Sequence, residues 1–219
     1  MGQSVDQKSA IKNDSKKIFW KLGTCSRTFA FVLDREFGHL QEAEERAVEP
    51  LAGGIMQKGH QCGMLWGASL AVGAEAYRRF PDLNKAMAVA IKATQSIMVS
   101  FEQHNGTTSC REITKCDFSS RLSFAKYFLS GNFLNCYKMA ETWTPDAIRA
   151  AHDGLTQNPD DLPEATMSCS AEVARKMGAS EEEMVLVAGF AGGLGLSGEG
   201  CGALAAAIWM KSMSWLRNG

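Results

Sequence analysis

Apolar residues recur along this chain at three- and four-residue spacing, and almost nowhere at spacing of two. Ile18, Phe19 and Leu22, then Phe29, Val32, Leu33 and Phe37, predict helices over 8–21 and 25–37. Gly38 is placed to end the second. Residues 40–52 are charged and then apolar, with Pro50 as a break. The segment 62–79 is a helix rich in small residues, and its Gly63, Gly67 and Gly73 make sense where another chain segment must approach closely. Leu83, Met87, Val89, Ile97, Met98 and Phe101 mark the clearest amphipathic helix, 82–103. HNGTTS (104–109) is a loop, and short helices follow near 119–129 and 133–142. Thr144, Pro145 and Asp146 have the chemistry of a new helix start: a cap, a proline in the first turn and an acid beside it. Further helices are expected over 166–178, 180–191 and 201–216, with Ser180 and Glu183 as a capping box. No segment alternates as a sheet requires, so the fold class is all-α, a helical bundle.

The helices come with a repeat. AGGIMQKGHQCG (52–63) and AGGLGLSGEGCG (191–202) share a GG pair, a later glycine and a Cys-Gly, with Cys62 and Cys201 in register. A Cys-Ser lies upstream of each, at Cys25-Ser26 and Cys169-Ser170, and opens a helical run that ends in glycine. The chain therefore reads as an internal duplication with an incomplete second copy. Residues 1–155 form the first copy with an N-terminal extension, TQNPDDLPE and its neighbours (156–165) form a linker, and 166–219 form a partial copy packing on the first. Two such copies can pack about a pseudo-twofold, and a homodimer is the other way to bury the same faces.

Composition narrows the function. The chain has 219 residues, 45 % of them hydrophobic, which is enough for a sizeable core. A net charge of −1 leaves no footprint for nucleic acid. The polar start has no secretory character, and the apolar runs are too short or too interrupted by glycine to insert in a membrane, so a cytoplasmic protein is expected. GGLGLSGEG lacks the lysine and the preceding strand of a phosphate loop. No hydrolase, zinc-protease, kinase or dinucleotide signature is present, and no small-molecule reaction is assigned. Glu42, Glu44 and Glu45 read as a solvated helix face, and Trp66 and Trp209 as packing anchors.

What remains is sulfur. The seven cysteines, Cys25, Cys62, Cys110, Cys116, Cys136, Cys169 and Cys201, are an odd number, which argues against a full disulfide framework and for metal, cluster or redox chemistry. Cys62 and Cys201 each follow a tight glycine-rich loop and open a helix. Its unpaired N–H groups and positive dipole end favour a thiolate; the same holds more weakly for Cys25 and Cys169.

These residues resemble a family named for a C…GCAxxG…C…C pattern and described as redox-active. Cys25 matches its first cysteine and Cys62-Gly63-Met64-Leu65-Trp66-Gly67 its central motif, with Met64 in place of the alanine. Cys110, in CREITKCDF, matches the third. Cys136 matches the fourth, with Cys116 as competitor. The resemblance spans about 15–142, and the partial copy adds only Cys169 and Cys201. It implies a helical redox domain, related to the iron–sulfur part of split-Soret cytochromes c. No C-x-x-C-H is present to carry haem.

Three functions follow as expectations. The first is an iron–sulfur protein ([2Fe–2S] or [4Fe–4S]) using Cys25, Cys62, Cys110 and Cys136, with Cys116 in reserve, in electron transfer with a redox partner protein. The second is metal-free thiol–disulfide chemistry, with Cys25 and Cys62 as the pair. The third is a zinc or other soft-metal module that adds His60 or His104.

Overall fold

The computed structural model describes residues 5–163 and 168–218, with side chains from residue 14 onward. The end of the expected linker and the first residues expected of the second copy, 164–167, lie outside the described residues. The described part is all-α. Its helices are α1 (Val5–Leu22), α2 (Cys25–Phe37), α3 (Glu42–Ala47), α4 (Gly63–Arg79), α5 (Leu83–Asn105), α6 (Cys110–Thr114), α7 (Arg121–Leu129), α8 (Phe133–Leu155), α9 (Cys169–Lys176), α10 (Glu181–Leu186) and α11 (Gly202–Asn218). Short 3-10 turns, Glu49–Leu51 and Ala188–Phe190, follow α3 and α10. Among the described residues there is no strand, only one antiparallel bridge between Gln61 and Ser109.

Helix α4 is the centre. Every residue from Gly63 to Ala76 is buried, between α2 and α5 on one side and α10 on another. This explains its glycines: a Cβ at Gly67 would run into the Ser26 carbonyl on α2, and one at Gly73 into the Leu186 backbone on α10. One continuous core joins Phe29 and Leu33 of α2 to Trp209 and Met213 of α11. Trp66 and Trp209 are fully buried, as anchors should be. Gly38 closes α2 in the left-handed conformation, and Ser180 and Glu183 form the expected capping box.

The predicted break at Thr144-Pro145 is absent. Helix α8 runs unbroken through Pro145. A proline inside a helix forfeits one hydrogen bond and strains the preceding turn. Here packing outweighs that cost. Trp143 is buried between Phe29 and Phe101, with ring centroids 4.8 and 4.7 Å away, and Thr144 Oγ1 donates back to the Ala140 carbonyl at 2.7 Å. The acidic run of α3 also departs from expectation. Glu45 is buried and Glu44 half-buried, because α3 turns that face toward α2 and α11.

The repeat in the sequence is a repeat in geometry. α3 and its 3-10 turn, the glycine loop and α4 correspond to α10, its turn, the second loop and α11, with every boundary displaced by the same number of residues. Residues 53–57 and 192–196 each have positive φ throughout, one left-handed turn apiece. Their hydrogen bonds correspond at equivalent positions: Met56 N–H to Pro50 and Gly195 N–H to Gly189, Gln57 to Ala52 and Leu196 to Ala191, Gly59 to Gly53 and Gly198 to Gly192. The two units are tied at Gln61. Its buried side chain donates to the Gly193 and Gly198 carbonyls at 2.7 and 2.6 Å and accepts from Gly200 N–H at 2.9 Å.

Candidate functional site

The left-handed turn 53–57 delivers the chain into residues 59–62, which run beside 108–111. Cys62 N–H donates to the Thr108 carbonyl, Cys110 N–H to the His60 carbonyl, both at 2.8 Å, and Arg111 N–H to Gly59. This short pairing sets Cys62 and Cys110 side by side. Cys25, the first residue of α2, meets them from the opposite wall. Gly63 is what lets it in, since a Cβ there would stand 2.5 Å from the Cys25 sulfur and 2.9 Å from Ala52 Cα. Cys136, in the first turn of α8, completes the group. Its sulfur is 3.5 Å from the Tyr127 hydroxyl. Cys62 and Cys110 are buried, and Cys25 and Cys136 are half-buried.

The four sulfurs feel one another. Cys62 S–H donates to the Cys25 sulfur, and the N–H groups of Gly53 and Ser26 add to it, so that Cys25 is held down to about 7 despite its burial. Cys62 is pushed well up, first because it is the donor to Cys25, then by burial and by the neighbouring Cys110 and Cys136. Burial and the nearby Cys25 and Cys136 push Cys110 up as well. Cys136 rises to about 11, through burial that outweighs the Tyr127 hydrogen bond. The shifts run in opposite directions across the pair, Cys25 down and Cys62 up.

This reverses one expectation. Cys62, which caps the N-terminus of α4, was the better placed of the two to ionise. Its shift runs upward, first through its hydrogen bond to Cys25 and then through burial. The bent backbone at Gly53 supplies Cys25 with the donor that spacing alone could not locate.

Cys116 is buried close behind, where it accepts from Ser123 Oγ at 3.7 Å. Cys169 and Cys201 are both exposed. Helices α2 and α9 each run to a left-handed glycine, Gly38 and Gly178. Yet α9 has 8 residues against 13 in α2, so Cys169 starts a turn short of where Cys25 stands. His104 is engaged with Thr142 and Asp146, and His60 is exposed. Among the described residues no three His, Cys, Asp or Glu side chains are arranged to hold a metal ion.

Residues 24–144 match the family described as "Putative redox-active protein (C_GCAxxG_C_C)". The chain belongs to this family. The matched span contains all four converging cysteines and stops before the second glycine loop. No curated protein and no solved structure matches the chain. Tyr127 is the feature of the thiol site that the sequence did not single out. Its hydroxyl is held out of water against Cys136, and burial first, then the nearby sulfur, keeps it protonated.

Proposed function

We propose that Cys25, Cys62, Cys110 and Cys136 bind an iron–sulfur cluster and that the protein works in electron transfer. The observation that carries this reading is the convergence of four thiols from four separate segments on one largely buried spot, with no disulfide among them. Four cysteines are the usual complement of a [2Fe–2S] or [4Fe–4S] cluster, whose ligands stand wider apart than those of a single ion. Such a cluster, when bound, supplies reversible one-electron chemistry. The protein's part is to hold the ligands and tune them. Gly53 and Ser26 N–H groups and the Tyr127 hydroxyl are donors aimed at sulfur, and donors of this kind raise a cluster's potential.

The test is iron and acid-labile sulfide analysis with a visible spectrum on protein purified without oxygen. Stoichiometric iron and sulfide, with absorption bleached by dithionite, is expected. Serine at any of the four positions should abolish it, while serine at Cys169 or Cys201 should leave it intact. A protein still colourless after anaerobic reconstitution sinks the reading.

One observation favours a second reading, thiol–disulfide exchange: the Cys25 thiolate already touches the Cys62 thiol. Cys25 would attack a partner disulfide and release one partner thiolate. Cys62 would then lose its proton and attack the Cys25 sulfur, releasing the second thiolate. A disulfide forms here, and two electrons pass to the partner. A Cys25–Cys62 peptide pair after mild oxidation of iron-free protein is the expected product, and scattered pairing would exclude it.

A further inference from the structure

Helix α7 lies over the thiol site yet is not packed into the bundle. Its inward contacts are few. Tyr127 bonds Cys136, Ser123 bonds Cys116, and Phe128 stacks on Phe133 at the start of α8, with centroids 5.3 Å apart. Leu122 and Leu129 are 85 and 90 % exposed, and Phe128 is half exposed. The apolar surface continues along Phe133 and Tyr137 to Trp20 of α1, which stacks on Tyr137 at 4.7 Å and is itself 59 % exposed. A patch of this kind marks an interaction site on a protein surface.

Its charge has one sign. Residues 118–140 contain Arg121, Lys126 and Lys138 and no acid, in a chain of net charge −1. All three are exposed, as are Lys17 and Lys21 on either side of Trp20. Among the described side chains, the acids at its margin are paired, Asp14 with Arg35, Glu141 with Lys16 and Asp117 with Arg111.

We infer that this basic, aromatic cap over the cysteines is the docking surface for a small acidic redox protein. The inference rests on the redox reading above. An acidic partner is the occupant whose charge complements the rim, and opposed charges steer partners together and fix their orientation. The apolar centre, which adjoins Cys136 through Tyr127, places that partner on the largely buried site.

The probe is a flavodoxin, a small acidic electron carrier, titrated against the full chain by calorimetry. A complex is expected at about 20 mM salt, weakened at least about tenfold near 300 mM. The triple variant Lys21→Glu, Lys126→Glu, Lys138→Glu should weaken it as much at low salt. Leu129→Ser should also weaken it, with an unchanged circular dichroism spectrum. Lys92→Glu, in the polar groove between α5 and α8, should bind as the unmodified chain does. Absence of a complex at low salt, or a complex that the triple variant leaves intact, overturns the proposal. So does self-association lost in Leu129→Ser, or sedimentation with phosphatidylglycerol vesicles in place of flavodoxin binding. Binding is read without iron or turnover. A colourless protein that still binds flavodoxin refutes the cluster alone, and an iron-loaded protein that does not bind refutes the surface alone.

Discussion

At the scale of the residue, the chemistry turns on which sulfur carries charge. Cys25 has four donors, the Cys62 thiol first among them, and together they draw its value down despite burial. In iron-free protein, iodoacetamide should label Cys25 with a pH midpoint near 7, while Cys62 and Cys110 stay unlabelled until far higher pH. Peptide mapping would check this, and a Cys25 midpoint at the ordinary thiol value of ~8.5 would refute it. Gly63 is the residue on which the assembly depends. Gly63→Ala should cost about 1–3 kcal/mol through overpacking and should expel Cys25, so that iron loading falls as far as in Cys25→Ser. The four cysteines were legible because the family pattern names residue types and spacings. The identity of the thiolate was not, because a donor such as Gly53 N–H is aimed by φ, which the sequence does not display. Tyr127 was missed for a similar reason. A tyrosine in an aromatic helix carries no signal of what its hydroxyl will meet.

At the scale of the element, the glycine loop was legible as a loop and its conformation was not. Glycines at 53, 54 and 59 suggest a turn. The left-handed path, however, continues through Ile55, Met56 and Gln57, with φ of 57, 50 and 61°. Left-handed helical backbone costs a non-glycine residue roughly 1–2 kcal/mol, and a β-branched one such as Ile55 is least suited to it. Burial of Ile55 and the interlocked hydrogen bonds offset that cost. Met56 shares the backbone bonds through Pro50 but gains no burial, being 58 % exposed. Met56→Gly should therefore stabilise the fold by about 0.5–1 kcal/mol after the unfolded-state entropy of glycine is counted, whereas Ile55→Gly should destabilise it by about 2–4 kcal/mol. Denaturant melts of the two variants would show opposite shifts, and shifts of the same sign would remove the strain argument. Pro145 teaches the converse lesson. Its local chemistry matches a helix start, yet Trp143, locked between Phe29 and Phe101, keeps α8 continuous. Tertiary packing there overrides a signal that reads correctly in isolation.

At the scale of the molecule, the two repeated units pair their equivalent charges differently. Glu44 and Arg78 of the first unit correspond in register to Glu183 and Arg217 of the second. Arg217 pairs with Glu183 at 2.8 Å, but Arg78 turns to Glu75 at 2.9 Å. Glu44 is left without that pairing, beside Glu182 and Glu183; burial first and then those charges push its carboxyl up to about 7. Asp34 fares similarly. It is buried with Oδ1 unbonded, and burial, then Glu45 and Glu44, push it up to about 8. Both folded values lie above the ordinary carboxyl range of ~3.9–4.3. The native state therefore holds protons that the unfolded chain has already lost. Their contribution to stability is complete below pH ~4 and is lost as pH rises through about 7 and 8. Chemical denaturation of iron-free protein should thus show lower stability at pH 8.5 than at pH 5.5, by at least the ~1.4 kcal/mol of one pKa unit. Asp34→Asn should remove most of that slope, raising stability at pH 8.5 and leaving it little changed at pH 5.5, because the amide stands in for the protonated acid. A slope that survives in Asp34→Asn with Glu44→Gln would mean that the carboxyls are not the source. Cys25, with its value lowered, acts in the opposite direction, whereas Cys62, Cys110 and Cys136, with values raised, add to the loss only as pH nears the ordinary thiol value of ~8.5.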